Sequence, residues 1–162
     1  MKKVKVKIMQ FDIPNRNDRV YQSDMMNEAI QEYLKNNEIR LGTIGSGSNC
    51  QGDINHPVTL KEASHKIDKL TVEGNELVGD ISILDTPQGK NVQALLESDI
   101  KLVFAPRMVV DIQEEKDEEG NVILDENGKP KTYIADVKLE SIDIIQDCEK
   151  SFDNANIEII NE

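Results

Sequence analysis

The chain has 162 residues, a length at which one domain can bury a sizeable core without metals or disulfides, so we expect residues 1–162 to form a single domain. A formal net charge of −12 argues against a nucleic-acid partner, because phosphate binding needs clustered Lys and Arg. No apolar run has transmembrane length, and the N-terminus has no signal-peptide core, which predicts a cytoplasmic protein without a membrane partner. Cys50 and Cys148 lie far apart and outside any metal-ligand spacing, which favours a reduced compartment.

The first third of the chain predicts one strand, one helix and one loop. Alternation over residues 3–13 predicts a strand whose lysines, within residues 2–7, face solvent and protect a sheet edge. Apolar residues at helical spacing predict a helix over residues 24–36, with Ser23 as its N-cap. Residues 42–53 contain four glycines and few apolar residues, so we expect a mobile surface loop.

The remainder of the chain predicts mostly strands. Residues 64–84 are typical of a hairpin, and residues 92–98 of a short amphipathic helix. Residues 101–112 and 132–145 read as strands, and the acidic residues 113–131 between them predict a solvated loop or a long hairpin tip. These elements predict an α+β fold, with a curled or barrel-like antiparallel sheet and a few short helices.

Only two histidines are available for imidazole chemistry. His56 lies in GDINHP, directly after the glycine-rich stretch, where a side chain at a sheet rim could meet a substrate; Asn and Pro are equally typical of a plain turn. His65 lies in the strand-like SHKI and is equally compatible with a half-buried structural residue.

Metal and cofactor chemistry finds little support in the sequence. The two histidines are nine residues apart, without HExxH or paired cysteines, so no metal site is predicted. GSGSNCQG lacks the Lys-Ser/Thr of a phosphate loop, and DEEGNVILDENG lacks calcium-ligand spacing, so no cofactor is predicted. Acyl transfer by a nucleophile, a histidine and an acid remains, but the residues alone do not identify the nucleophile.

Four stretches resemble, in order, the prohead maturation proteases of tailed bacteriophages, whose fold is related to the herpesvirus assemblins. NRNDRVY (15–21) is similar to the family's NRNxRxY, and GDINHP (52–57) to GELNHP. Residues 64–90 resemble its central hairpin and LDTPxG turn. The fourth, VFAPRMV (103–109), falls where the family has GVSSRGL or GFSxRxL, and it is followed downstream by SIDII (141–145), which is like the family's VDxV.

The resemblance implies an assemblin-like fold and a serine-type endopeptidase. Its partners would be phage scaffold and capsid proteins, cleaved after Glu inside the prohead, in the bacterial host cytoplasm. A homo-oligomer is one option that the sequence leaves open. The family cuts after Glu with Ile or Leu two residues earlier, and Ile160-Asn161-Glu162 matches that pattern, which suggests self-cleavage at Glu162.

The same resemblance assigns the site residues. His56 would be the general base, and Ala105 occupies the position of the nucleophilic Ser. Arg107 would lie near the oxyanion, and Asp143 would orient His56. His65 is the weaker candidate for that third role, since it resembles the second His of the assemblins.

The chain departs from the family at the nucleophile. Ala105 has no hydroxyl, Pro106 replaces a second Ser, and Met108 replaces a Gly. Either a protease was disabled deliberately, or a natural homologue has given up catalysis and serves as a capsid scaffold or core protein. An acidic binding module is a third reading, if His56, Ala105 and Asp143 are far apart.

In the family geometry Pro106 marks where the strand stops pairing regularly; alternatively it marks an edge bulge.

Overall fold

The computed structural model describes residues 1–15, 18–45, 58–146 and 156–159 of the chain. Its helices and strands are, in order, β1 (Lys2–Gln10), α1 (Ser23–Asn36), β2 (Leu41–Gly42), β3 (His65–Glu73), β4 (Glu76–Ile83), α2 (Pro87–Glu97), β5 (Leu102–Glu114), β6 (Thr132–Gln146) and β7 (Asn156–Ile159). The predicted class, strands with a few short helices, is confirmed. The two cysteines and Glu162 lie outside the described residues.

The strands form a curled antiparallel arrangement, as predicted. Five of them make a sheet of order β2-β3-β4-β1-β7, and β5 pairs with β6 in a separate long ribbon. β6 lies beside β2, at one end of that order, while β5 lies beside β7 and β1 at the other end. The ribbon therefore bridges the two ends of the sheet, which gives the barrel-like curl.

Alternation in β1 produces the predicted two faces. Val4, Val6 and Ile8 are buried, and the lysines between them are partly exposed. The edge prediction was wrong, because β1 pairs with β4 on one side and with β7 on the other. Its lysines therefore cover the solvent face of an inner strand. The sequence had not predicted the pairing strand β7.

Both predicted helices are present, and both begin differently from the prediction. In α1 the N-cap is Gln22, and Ser23 is already helical; its backbone N–H donates to Asp12 Oδ1 at 3.0 Å. A carboxylate distant in sequence thus does what Ser23 was predicted to do. In α2 the helix begins at Pro87, because Thr86 caps it by accepting from the Gly89 N–H at 3.0 Å. No helix in the described ranges combines the length and the apolar character needed to cross a bilayer.

The predicted hairpins are confirmed. β3 and β4 pair around a tight turn at Gly74, where φ is 63°. β5 and β6 form the long hairpin, whose tip is the acidic segment 115–131. At the start of the stretch 42–53 predicted as a loop, Gly42 instead belongs to β2, which pairs with β3. Residues 46–53 of that stretch lie outside the described residues. Residues 43–45 continue along β6, where Ile44 forms a parallel bridge with Ile144.

One core fills the space between the sheet, α1 and the ribbon. Its largest fully buried side chains are aliphatic and aromatic: Phe11, Phe104, Ile8, Met9, Met26, Ile67, Leu77, Ile81, Ile83, Ile142 and Ile144. A second, small apolar cluster of Val103, Ala105 and Ile145 is separate from that core. Because successive strand residues point to opposite faces, the two clusters lie on the two faces of the ribbon.

Candidate active site

The candidate site lies on the ribbon face that points away from the main core. In the part of the ribbon that we call the inner half, residues 102–107 of β5 pair with residues 141–146 of β6 without a register shift. Ala105 stands directly opposite Asp143, and Arg107 directly opposite Ser141. Opposite residues of antiparallel strands share a face, so Arg107, Ser141 and Asp143 lie together beside the small apolar cluster that contains Ala105.

The Asp143 carboxylate is buried and accepts hydrogen bonds from two other segments. Oδ1 accepts from Ser141 Oγ at 2.9 Å and from the Thr43 backbone N–H at 3.3 Å. Oδ2 lies 3.0 Å from Arg107 Nε, and both side chains are nearly inaccessible to solvent. The same Nε also donates to Ser141 Oγ at 3.0 Å. Asp143 is thus fixed from its own strand, from β5 and from residue 43.

Two opposing influences set the ionisation of this carboxyl. Burial raises the pKa of Asp143 above its ordinary value, because desolvation disfavours the charged form. The Arg107 charge and the hydrogen bonds from Ser141 and Thr43 lower the pKa and so limit the rise. Arg107 was predicted to lie near an oxyanion; in the structure its Nε contacts Asp143 and Ser141.

His65 lies behind the ribbon, on the side of the main core. Its ring packs edge to face against Phe104, with centroids 5.1 Å apart and an interplanar angle of 82°. Nε2 is 2.7 Å from the Ile142 carbonyl oxygen, and Nδ1 is 2.7 Å from Ser64 Oγ. Burial lowers the pKa of His65 to about 4, so the ring is neutral at neutral pH. The two ring nitrogens are thus hydrogen-bonded to a carbonyl oxygen and a hydroxyl, and not to a carboxylate.

His56 lies outside the described residues, but both flanks of its segment are described. On one flank, Thr43 donates its N–H to Asp143, and the Gly45 N–H donates to the Ile144 carbonyl oxygen at 2.7 Å. On the other flank, the Glu62 carbonyl oxygen accepts from Thr43 Oγ1 at 3.0 Å. Thr43, the residue that binds Asp143, is therefore also hydrogen-bonded to Glu62 on the other flank.

Pro106 does not interrupt the strand, contrary to both predictions made for it. It stands opposite Ile142, and the register shift comes later, between Arg107 and Met108, where β6 carries the extra residue Glu140. The Ile142 carbonyl points away from β5, toward His65. In such a non-hydrogen-bonded pair, the backbone N–H and C=O groups of both residues point away from the partner strand. A residue without an N–H therefore removes no hydrogen bond from the ladder. This explains how a proline fits within a regular strand.

Concavities and metal-binding groups do not add to this site. An open concavity of 840 Å³ lies at the far end of the ribbon, where residues 113–116, Ile123 and Tyr133 line it. It lies at the opposite end of the ribbon from Ala105 and is not part of this site. Among the described residues, no three His, Cys, Asp or Glu side chains are grouped so as to hold a metal ion.

Of the predicted site residues, Ala105, Arg107 and Asp143 lie together, and His65 contacts the backbone next to Asp143. The sequence analysis missed Ser141 and Thr43. Ser141 could have been found, because it lies two residues before Asp143 in a strand and so shares its face. Thr43 carried no signal, since its backbone makes the contact.

Comparisons with known proteins agree with the fold. The family model described as prohead core protein serine protease matches residues 3–137, a range that contains His56, His65, Ala105 and Arg107 and ends before Asp143. Among solved structures, the capsid assembly protease gp21 of bacteriophage T4 is similar, with a TM-score of 0.69 and 16% identity, over 90% of this chain and 81% of that one. At that identity the likeness shows the fold. No curated protein matches the chain.

Proposed function

The chain belongs to the family of prohead core protein serine proteases, and on that premise we propose that it is a phage capsid maturation protease. Its substrates are scaffold and capsid proteins, cleaved after Glu inside the prohead during head assembly in the host cytoplasm. The chain as it stands is inactive, because residue 105 is Ala. The observation that carries the proposal is that Ala105 stands directly opposite a buried, multiply bonded Asp143.

In the active form, a Ser at position 105 attacks the scissile carbonyl carbon through Oγ, and His56 accepts the hydroxyl proton. Asp143 holds the His56 ring and stabilises the imidazolium, while backbone donors near Arg107 stabilise the oxyanion. His56 then gives its proton to the leaving amine, and water releases the acyl group by the same route. The segment that carries His56 lies between Thr43, which binds Asp143, and Glu62, which is hydrogen-bonded to Thr43, and this supports the role given to His56.

Arg107 fits this scheme as the counter-charge of Asp143. An ionised carboxylate is costly to bury alone, and Arg107 Nε at 3.0 Å reduces that cost. An Asp that remains ionised can stabilise a charged His56 during the reaction. Loss of the nucleophile alone removes on the order of six decades of rate in serine proteases, which is why the Ala105 form is proposed to be inactive.

The test is to restore the hydroxyl. We expect Ala105→Ser to cleave a peptide that contains Ile-x-Glu after the Glu, while the unaltered chain does not cleave it. In the Ala105→Ser background, His56→Ala should abolish cleavage, and Asp143→Asn should lower kcat by about 10⁴-fold. Circular dichroism and thermal unfolding check that each variant is folded. A folded Ala105→Ser protein without cleavage of this peptide or of scaffold protein would refute the mechanism.

A second function has one observation in its favour. The Ala105 methyl packs against Val103 and Ile145 in a small apolar cluster, as an inert residue would. This favours a non-catalytic capsid scaffold or core protein with the same fold. The natural gene decides between the two, because Ser at position 105 favours the protease and Ala favours the scaffold. Homo-oligomer formation belongs to the protease proposal and is measured by light scattering.

A further inference from the structure

Three segments that are distant in sequence meet directly behind the candidate site. His65 begins β3, Gly42 ends β2, and Ile142 precedes Asp143 in β6. We propose that His65 is a neutral positioning residue that fixes the β6 backbone beside Asp143, rather than the third member of the catalytic group. This inference deepens the proposed protease function and rests on it.

The hydrogen bonds of the ring determine its tautomer. A carbonyl oxygen can only accept, so the nitrogen 2.7 Å from the Ile142 oxygen, Nε2, carries the proton. In the neutral ring Nδ1 is then an acceptor, and Ser64 Oγ donates to it at 2.7 Å. His65 and Ser64 are both fully buried. The ring is therefore held at both nitrogens, in one tautomer and one orientation.

Gly42 leaves the space in which the His65–Ile142 hydrogen bond forms. A Cβ on Gly42 would lie 2.0 Å from His65 Nε2 and 2.2 Å from the Ile142 carbonyl oxygen. Both distances are far below van der Waals contact, so any side chain at position 42 would displace one of the two groups. The glycine is thus required by a close approach between β2, the imidazole and β6.

The bond from His65 reaches Asp143 through the backbone. The Ile142 carbonyl belongs to the peptide group that continues into Asp143, so fixing its oxygen restrains the direction in which the Asp143 side chain leaves the strand. One residue further, the Ile144 N–H donates to the Thr43 carbonyl oxygen at 2.9 Å. The Thr43 N–H in turn donates to Asp143 Oδ1. Loss of the His65 bond would loosen both the strand and the Thr43 donor.

The position of the ring argues against a direct catalytic role. His65 packs against Phe104, whose side chain points to the main core, whereas the neighbouring Ala105 belongs to the opposite face. The strand thus lies between the imidazole and the position where a nucleophile would stand. His65 acts on the site only by holding other groups in place.

A matched pair of variants separates positioning from mere support of the fold. In His65→Gln the amide nitrogen reaches the position of Nε2 and can still donate to Ile142. In His65→Asn the shorter side chain reaches only the position of Nδ1, so the Ile142 bond is lost. In the Ala105→Ser background we expect His65→Gln to retain cleavage within about tenfold and His65→Asn to lower kcat by about 10²-fold at similar KM, the effect of a small misplacement.

A second readout does not depend on activity. In the unaltered chain, NMR should find the His65 ring in the Nε2–H tautomer. The pKa of Asp143, followed by its carboxyl carbon, should rise in His65→Asn as the Thr43 donor weakens, and stay unchanged in His65→Gln. Should His65→Asn prove unfolded, Ser64→Ala provides the milder test, with a smaller rise in the same pKa.

The outcomes are distinct. A kcat that is unchanged in both variants would leave His65 a purely structural residue. An equal loss of kcat in both, with an unchanged Asp143 titration, would make the imidazole itself catalytic. Either result overturns the proposal. An Nδ1–H tautomer in the unaltered chain also overturns it. If Ala105→Ser is inactive, the protease proposal fails, and the NMR comparison still decides the role of His65.

Discussion

The two halves of the β5–β6 ribbon use the same strand pairing and stabilise it in opposite ways. In the inner half, Arg107 and Asp143 are buried. The Thr43 backbone and the His65 side chain both form hydrogen bonds with β6. The outer half, residues 109–114 with residues 132–138, is largely exposed, and its polar cross-strand contact is the exposed pair Tyr133 and Gln113. Strand pairing alone therefore does not make a site; the neighbouring segments do.

The tip beyond the outer half is held by its own backbone. Glu115, Ile123 and Lys131 are eight residues apart and form a closed triangle of hydrogen bonds, in which the N–H of each donates to the carbonyl oxygen of another at 2.8, 2.9 and 2.8 Å. Asp117 and Asp125 each close a turn with a side-chain oxygen. The tip depends on local contacts, whereas the inner half depends on contacts that are distant in sequence.

The largest expected effect comes from breaking the buried ion pair of the inner half. Arg107→Met leaves Asp143 buried without its counter-charge, and we expect the free energy of unfolding to fall by about 3 to 5 kcal/mol. Urea denaturation measures it. Arg107→Met combined with Asp143→Leu removes both charges and should recover most of the loss. If the single variant were as stable as the unaltered chain, the inner half would not depend on this pair.

The next effect is a pH dependence that only the inner half should show. Because the pKa of His65 is about 4 in the folded protein and about 6.5 when unfolded, the unfolded state binds more protons between these values. The stabilisation is complete above pH 6.5 and is lost as the pH falls toward 4, by about 3 kcal/mol in all.

His65→Gln serves as the control for that pH dependence. The raised pKa of Asp143 acts in the opposite direction, but it is present in both proteins and so largely cancels in their difference. The stability advantage of the unaltered chain over His65→Gln should therefore shrink on acidification, by up to about 1.4 kcal/mol per pH unit. A constant difference from pH 7 to pH 4 would contradict a buried neutral imidazole.

A smaller effect is expected at the tip. Asp125 Oδ1 accepts from the N–H groups of Asn127 and Lys129 at 2.8 and 2.9 Å, so Asp125→Ala should lower stability by about 0.5 to 1 kcal/mol. Asp125→Asn keeps an acceptor and should cost less. Limited proteolysis should cut the Ala variant faster, and at the tip. A loss comparable to that of Arg107→Met would show that the tip is not an independent local unit.

The smallest effect is expected in the outer half. Tyr133→Phe removes the hydroxyl that donates to Gln113 Oε1 at 3.0 Å, at a site where water can replace it. We expect a change below about 0.5 kcal/mol in denaturant unfolding. Arg107→Met is the matched perturbation of a cross-strand contact in the inner half, and similar costs for the two would remove the distinction between the halves.

The sequence predicted what depends on local patterns. Alternation located β1 and β6, and helical spacing located α1 and part of α2, because these periods reflect which face is buried. The turn between two strand-like runs located β3 and β4, and a continuous apolar run located β5. The sequence misassigned Ser23 because Asp12, eleven residues away, binds the first turn of the helix. It misassigned the edge because the pairing of β1 with β7 joins the two ends of the chain.

For the candidate site, the resemblance named Ala105, Arg107 and Asp143, and only three-dimensional contacts gave them their neighbours. Periodicity puts Ala105 and Arg107 on one face of β5, but no local pattern reveals which residue of β6 stands opposite. Register follows from the length of the hairpin tip and from the two bulges at Ala135 and Glu140, none of which could be read in advance. Thr43 and Gly42 act through backbone and through lack of a side chain, which composition does not register.

The near contact of Gly42 with the His65 ring also constrains how this sequence can diverge. A methyl at position 42 and an imidazole at position 65 cannot occupy the same space, so neither position can drift independently of the other. Homologues that carry Ala or a larger residue at 42 should have a smaller side chain at 65 and should secure the Ile142 carbonyl by other means. Covariation between these two positions would be the evolutionary trace of this close approach.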